Sequence, residues 1–288
     1  MIDLHTHSTV SDGSESPATV VGLAAAAGCS AMALTDHDSV GGLAEAGRAA
    51  EAHGVRLVPG CEVSCRKPPH PRGGPPLAGS VHVLVYFVGP GDGPLQRELG
   101  ALRADRAERN HALAERLAEL GTGVRWEDVV AAAGDEGGVG RPHFARALVA
   151  AGAAEDVDDA FDRWLADGRP AYVPKARLDP PDVARLAHAS GGVAVLAHPL
   201  STGLDPDDLE RMVGALAEAG FDGLEATYGA YAPDQRARLV AMARRLGLVA
   251  TGGSDFHGSF KPGLAVGTGR GDLAVPDDVV DALAARCS

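Results

Sequence analysis

The histidines and acidic residues of this chain fall in short motifs. His5 and His7 stand two apart in LHTHSTVSDG, which also holds Asp12. His37 lies in ALTDHDS, Glu62 in GCEVS, His82 in VHVLVY and His198 in LAHP, and Asp255 and His257 share SDFHG. Singly, each has an ordinary explanation. A strand histidine can be packed or solvated, and an aspartate in a loop often caps a helix. Together they are nine imidazole and carboxylate donors from six segments. Such a set, without thiolates, suits Zn, Mn or Fe.

Those motifs recur at the ends of β-like runs. The candidate strands are 2–7, 31–36, 56–63, 81–88, 193–198, 223–228 and 248–253. Ala- and Leu-rich helical patterns such as PATVVGLAAAAG (17–28) and VGGLAEAGRAAEAHG (40–54) alternate with them. Strands alternating with helices predict βα units and a parallel sheet. Seven units without a doubly wound break predict an α/β fold, a closed or nearly closed barrel. In such a barrel the C-terminal strand ends open on one face. Strand side chains alternate in direction, so His5 and His7 point the same way, and the nine candidates converge on one bowl.

Residues 94–172 break the rhythm. They read as four helices (95–120, 126–134, 141–151 and 156–167), an all-α insertion after strand 4. The barrel is then 1–93 with 173–288, and the insertion is a substrate-capping domain. The first inserted helix carries leucines at 95, 99 and 102 and again at 113, 117 and 120. The gap between them holds Arg106, Arg109 and Asn110. It reads as a kink or solvent-exposed mid-section, or as a face turned toward an anion at the barrel mouth. The loop RKPPHPRGGPPLAGS (66–80) should lack regular structure, with His70 simply solvated.

Net charge is −13, from 26 basic and 39 acidic residues. That opposes stable binding of long nucleic acid, which needs clustered Lys and Arg to release counterions. No apolar run approaches the roughly 20 residues of a membrane span. Residues 1–4 read as strand with no basic stretch ahead, so no signal peptide is expected. Four scattered cysteines, at 29, 61, 65 and 287, form no disulfide framework and no complete zinc motif. The expected location is the cytoplasm.

The motifs together resemble the polymerase-and-histidinol-phosphatase (PHP) family of metal-dependent phosphoesterases, in order along nearly the whole chain. The resemblance implies a distorted, TIM-like (β/α)7 barrel with up to three divalent metals, manganese first, with iron or zinc as alternatives. Carried over by position, His5, His7, Glu62 and Asp255 would ligate one metal. Glu62 would bridge to a second that also takes His82 and His198, and Asp12, His37 and His257 would hold the third. Asp36 and Asp38 read as loop-capping or tuning groups. Three such ions less the charges of Asp12, Glu62 and Asp255 leave about +3 in the bowl, suited to a phosphate ester. The metals would grip its oxygens and activate a bridging water, so no Ser, Cys or Lys nucleophile is needed. Asp255, His257 and His198 are the expected catalytic residues, with His198 or another site histidine protonating the leaving group.

Specificity would then come from the insertion and loops. Arg141 and His143 in GRPH open a helix, where backbone N–H groups favour anions. Lys175 and Arg177 in YVPKARL follow. With Arg106 and Arg109 these are the candidate substrate-binding residues, against capping, packing or a solvated edge. The inserted domain, GRPH and YVPK resemble the branch of the family that dephosphorylates nucleoside 3′,5′-bisphosphates, some of whose members trim RNA from its 5′ end. The expected substrate is therefore a phosphorylated nucleotide or short RNA. A histidinol-phosphate phosphatase or another amidohydrolase-like metal hydrolase is the alternative. A decayed, purely binding module should have lost ligands, and every ligand is kept.

Overall fold

The computed structural model describes residues 1–134, 138–174 and 176–287. In chain order its elements are β1 (Ile2–Asp3), α1 (Pro17–Ala26), β2 (Ala31–Leu34), α2 (Leu43–His53), β3 (Arg56–Cys65), β4 (Val81–Tyr86) and α3 (Pro94–Glu119). There follow α4 (Trp126–Ala133), α5 (Arg141–Ala150), α6 (Val157–Ala160), α7 (Pro180–Ala189), β5 (Val193–Leu196), α8 (Pro206–Glu218), β6 (Gly223–Tyr228), α9 (Pro233–Arg245), β7 (Val249–Gly253) and α10 (Val279–Ala284). Helices α1, α7, α8 and α9 each begin on a proline, whose missing N–H costs nothing in a first helical turn. Ser16 and Asp205 cap α1 and α8 by accepting from Thr19 N and Asp208 N.

The seven strands form one sheet in the order β1 to β7. Leu4 N donates to Gly252 O and Asp255 N to His5 O, and Thr6 bridges Phe256, which closes β7 onto β1. Gly253 permits that closure, because a Cβ there would lie 2.4 Å from His5 Cβ and N. Strand alternation divides the core: Ala31 and Ala33 join one buried cluster with Val58, Leu84 and Val195, while Met32 and Leu34 pack with α1 and α2.

The sheet is not wholly parallel. β4 runs antiparallel to both β3 and β5. The 66–80 loop supplies no helix to carry the chain back across the barrel, and strands joined without a crossover pair antiparallel. The reversal moves His82, second residue of β4, opposite Ser64 near the end of β3, and so to the ligand-bearing rim. His70 also departs from expectation, being mostly buried beside Asp208 (3.6 Å).

The chain divides into two compact units, Met1–Leu99 with Arg177–Ser288, and Gly100–Ala176. Leu95 and Leu99 are buried in the first, and Leu113 and Leu117 belong to the core of the second, with Phe144, Leu148 and Leu165. The interrupted leucine stripe of α3 thus reflects one helix shared by two cores. Its gap is not solvent-exposed throughout, since Arg109 and Asn110 are buried and Asn110 Nδ2 donates to Val139 O (2.9 Å). The last inserted helix is short, continuing from α6 as one π-turn over Phe161–Leu165.

The β1–β7 seam depends on Asp3. Its buried carboxylate accepts from His5 N (3.2 Å), Ser254 N (2.9 Å) and Gly267 N (2.7 Å). Asp3→Ala, which leaves three buried N–H groups without an acceptor, is expected to lower the unfolding free energy by about 3 kcal/mol. Urea denaturation measures this, and a loss below about 1 kcal/mol would show that the seam does not rely on Asp3.

Candidate metal centre

Seven of the nine candidates follow the C-terminal ends of β1, β2, β5 and β7, while Glu62 lies within β3 and His82, through the reversal of β4, near the start of that strand. Among the described residues, three of the four non-glycine positions with positive φ lie here: Asp38 (50°), His198 (24°) and Asp255 (54°). That backbone is strained for a side-chain-bearing residue and persists only where surroundings enforce it. Asp38 N donates to Glu62 O (2.9 Å), His198 N to Glu225 Oε2 (2.7 Å) and Asp255 N to His5 O (2.8 Å). The turn carrying Asp12 is shaped by Asp36, whose carboxylate accepts from Ser8 N, Ser8 Oγ and Ser11 Oγ. Asp38 accepts from Ser64 N. Both aspartates beside His37 shape loops.

The donor atoms form three overlapping groups. His5 Nε2 and His7 Nε2 are 3.1 Å apart, lie 3.2 and 3.1 Å from Glu62 Oε2, and lie 3.5 and 3.4 Å from Asp255 Oδ1. The other oxygen, Glu62 Oε1, meets His82 Nδ1 and His198 Nε2, each at 2.9 Å. Asp12 meets His257 Nε2 at 3.3 Å and His37 Nε2 at 3.6 Å. His37 Nδ1 also stands 3.3 Å from Glu62 Oε2, joining the first and third groups.

These residues fit divalent cations. Imidazole nitrogens and carboxylate oxygens facing one another at such separations need shared protons or a cation among them. His7 Nδ1 and His37 Nδ1 are buried without a hydrogen-bond partner among the described residues. Electrostatics agree. Burial pushes the Glu62 carboxyl up, but His37, His5 and His82 outweigh it and hold it well below the usual carboxylate range. Burial likewise opposes ionisation of Asp255 and Asp12, and the neighbouring imidazoles again prevail. Burial brings His37 down to about 4, whereas at His7 burial is overcome by the Asp255 and Glu62 carboxylates, which raise the ring to about 10.

Three further groups were not anticipated. Glu225 is fully buried in β6, where Oε1 meets His5 Nδ1 (2.8 Å) and Oε2 accepts from His198 N. It therefore leaves His5 Nε2 free to ligate and also holds the strained His198 backbone. Its signal was an acidic residue inside the apolar strand GLEATY. Tyr228 donates to Asp255 Oδ2 (2.6 Å), and Lys261 contacts the same oxygen. A cavity of about 440 Å³ opens beside the cluster, walled by Tyr228, Tyr231, Gln235 and Lys261 as well as the ligands.

The expected substrate-binding residues are engaged differently. His143 is buried, and its Nδ1 accepts from Gly140 N (2.9 Å), capping its own helix. Arg141 Nη1 meets Leu165 O (3.4 Å) and Asp167 (3.7 Å). Arg109 is buried, and Arg106 is half-buried. Arg177 is half-buried, and its carbonyl accepts from Arg66. Lys175 lies outside the described residues.

Glu225→Gln retains the shape of the side chain and removes its charge from both contacts. Divalent-ion affinity, titrated into metal-depleted protein, should fall about tenfold or more. Unchanged affinity would show that Glu225 does not orient the ligands.

The comparisons with known proteins agree with this geometry. The PHP domain matches residues 3–120. The chain is 34% identical over 266 residues to the 3′,5′-nucleoside bisphosphate phosphatase of Chromobacterium violaceum, covering 92% of this chain and 90% of that one. It is 34% identical over 258 residues to the 5′-3′ exoribonuclease Rnm of Escherichia coli, covering 88% and 84%. A Bifidobacterium adolescentis structure presented as a metal-dependent phosphoesterase superposes with a TM-score of 0.81 at 33% identity, covering all of this chain and 96% of that one. No helix among the described residues is long and apolar enough to cross a membrane. With these relatives and this arrangement of ligands, the chain belongs to the PHP family of metal-dependent phosphoesterases.

Proposed function

We propose that the protein hydrolyses a phosphate ester of a nucleoside 3′,5′-bisphosphate and acts also on short 5′-phosphorylated RNA. The observation that carries this reading is the clustering of nine ligand-type side chains, six of which line a cavity of nucleotide size, about 440 Å³. The names of the Chromobacterium and Escherichia relatives support the substrate class. His5, His7, Glu62 and Asp255 are assigned to one ion, Glu62 with His82 and His198 to a second, and Asp12, His37 and His257 to a third. Manganese is the first choice among divalent ions, with iron and zinc next.

Bound divalent ions would supply Lewis acidity, polarising the phosphoryl oxygens and acidifying water. The chain's own residues set the geometry. Glu62 holds two groups of imidazoles in fixed relation through its two oxygens. Ser201 Oγ lies 3.0 Å from His198 Nδ1 and keeps that ring turned toward Glu62. His257 Nδ1 donates to Asp255 O (2.9 Å), which leaves Nε2 directed at Asp12. The strained turns at His198 and Asp255 fix ligand direction before substrate arrives, so no reorganisation is needed during reaction.

Asp255→Ala or His257→Ala should lower phosphate release from adenosine 3′,5′-bisphosphate by on the order of 10²-fold or more. Circular dichroism would confirm that the variants fold. Phosphate release above one tenth of wild type would remove these residues from the catalytic set. Chelation should abolish activity in the unaltered protein and added manganese should restore it. Activity unaffected by full chelation would overturn the metal mechanism.

A further inference from the structure

Lys261 is one of three lysines in the chain and follows the SDFHG motif. It leaves the short 3₁₀ turn Gly258–Phe260, and its side chain lines the cavity beside the metal ligands. Among the described residues lining that cavity it is the only lysine or arginine. Its ammonium contacts Asp255 Oδ2 and donates to Tyr228 Oη (2.8 Å). An ammonium has three N–H donors, and the third has no partner among the described residues. The side chain is 38% exposed, so that donor is reachable from the cavity.

Asp255 separates two environments. Oδ1 faces His5, His7 and His257, whereas Oδ2 faces Tyr228 and Lys261. A cation occupying the ligand groups would meet Oδ1, and Lys261 stands on the other side. It is therefore not a substitute for the metal. The Tyr228 and Tyr231 rings lie 4.6 Å apart and with Leu200 wall the cavity next to it, an apolar surface for the body of a ligand.

From this placement we infer that Lys261 grips a second phosphate of the substrate, while the first sits at the metal ligands. The site thereby selects esters that carry two phosphates on one ribose over those that carry one. This rests on the proposed bisphosphonucleotide reading and assigns the selection to the barrel. Lysine is suited to the task as a compact point charge on a flexible stem. Asp255 and Tyr228 hold that stem in place, so little rotamer freedom remains to be lost on binding.

The test uses metal-loaded protein hydrolysing p-nitrophenyl phosphate, which carries a single phosphate. Adenosine 3′,5′-bisphosphate and the 3′- and 5′-monophosphates are added as competitors, and metal content is measured in parallel. The unaltered protein should bind the bisphosphate more tightly than either monophosphate. In Lys261→Gln that preference, the ratio of inhibition constants, should fall about tenfold or more, as expected for loss of a charge-assisted hydrogen bond. Lys261→Arg should recover part of it. If Lys261 only positions Asp255, turnover of p-nitrophenyl phosphate and metal content will fall while the preference ratio stays unchanged. That result overturns the inference. A bisphosphate that competes in a Lys261-dependent way yet is never hydrolysed would refute the proposed substrate and leave this inference standing.

Discussion

The buried carboxylate of Glu62 is the interaction on which the rest of the site depends. Its Oε2 lies 3.1–3.3 Å from nitrogens of His5, His7 and His37, and its Oε1 lies 2.9 Å from His82 and His198. Five imidazoles from four other segments thus surround one acidic side chain at the rim of β3. No such arrangement is stable in a protein interior unless charge is balanced locally. The imidazoles hold the carboxylate ionised, and together with Asp12 and Asp255 they form a donor set suited to hard or borderline divalent ions.

That constraint explains features of the fold that would otherwise look incidental. β4 must run backwards for a histidine at its start to meet Glu62. The barrel must close through Asp3 and Gly253 for β1 and β7 to face their ligands toward each other. Glu225 reaches across from β6 to hold a ring nitrogen of His5 and the backbone of His198, linking two of the ligand groups by one buried side chain. The barrel is thus a frame whose strand ends are locked by buried acids, and the strained backbone at His198 and Asp255 is maintained by that frame.

Much of this was legible in the amino-acid sequence, because ligation depends on side-chain type and strand ends announce themselves by composition. LHTHSTVSDG, GCEVS and SDFHG can be read residue by residue. The direction of β4 was less accessible. Local propensity is the same for both strand directions, and only the absence of a helix in 66–80 hinted at a reversal. A single acid in an apolar strand has no motif, so the role of Glu225 appears only when His5, 220 residues away, is brought beside it. Lys261 was missed for a similar reason. GRPH reads as an anion site in sequence, and in the structure His143 caps its own helix while the part-exposed Arg141 meets Leu165 O and Asp167. Helix N-termini invite capping and anion binding by the same N–H groups, and sequence alone does not separate them.

In the proposed centre Glu62 would hold two cations, one on each carboxylate oxygen. Anomalous diffraction from crystals of manganese-loaded protein, recorded at the manganese edge, addresses it directly. The account predicts separate peaks about 2.2 Å from Glu62 Oε1 and from Oε2, one beside His5 and His7 and the other beside His82 and His198. Density with no peak at coordinating distance from Glu62, or with a single peak on one of its oxygens, would contradict it.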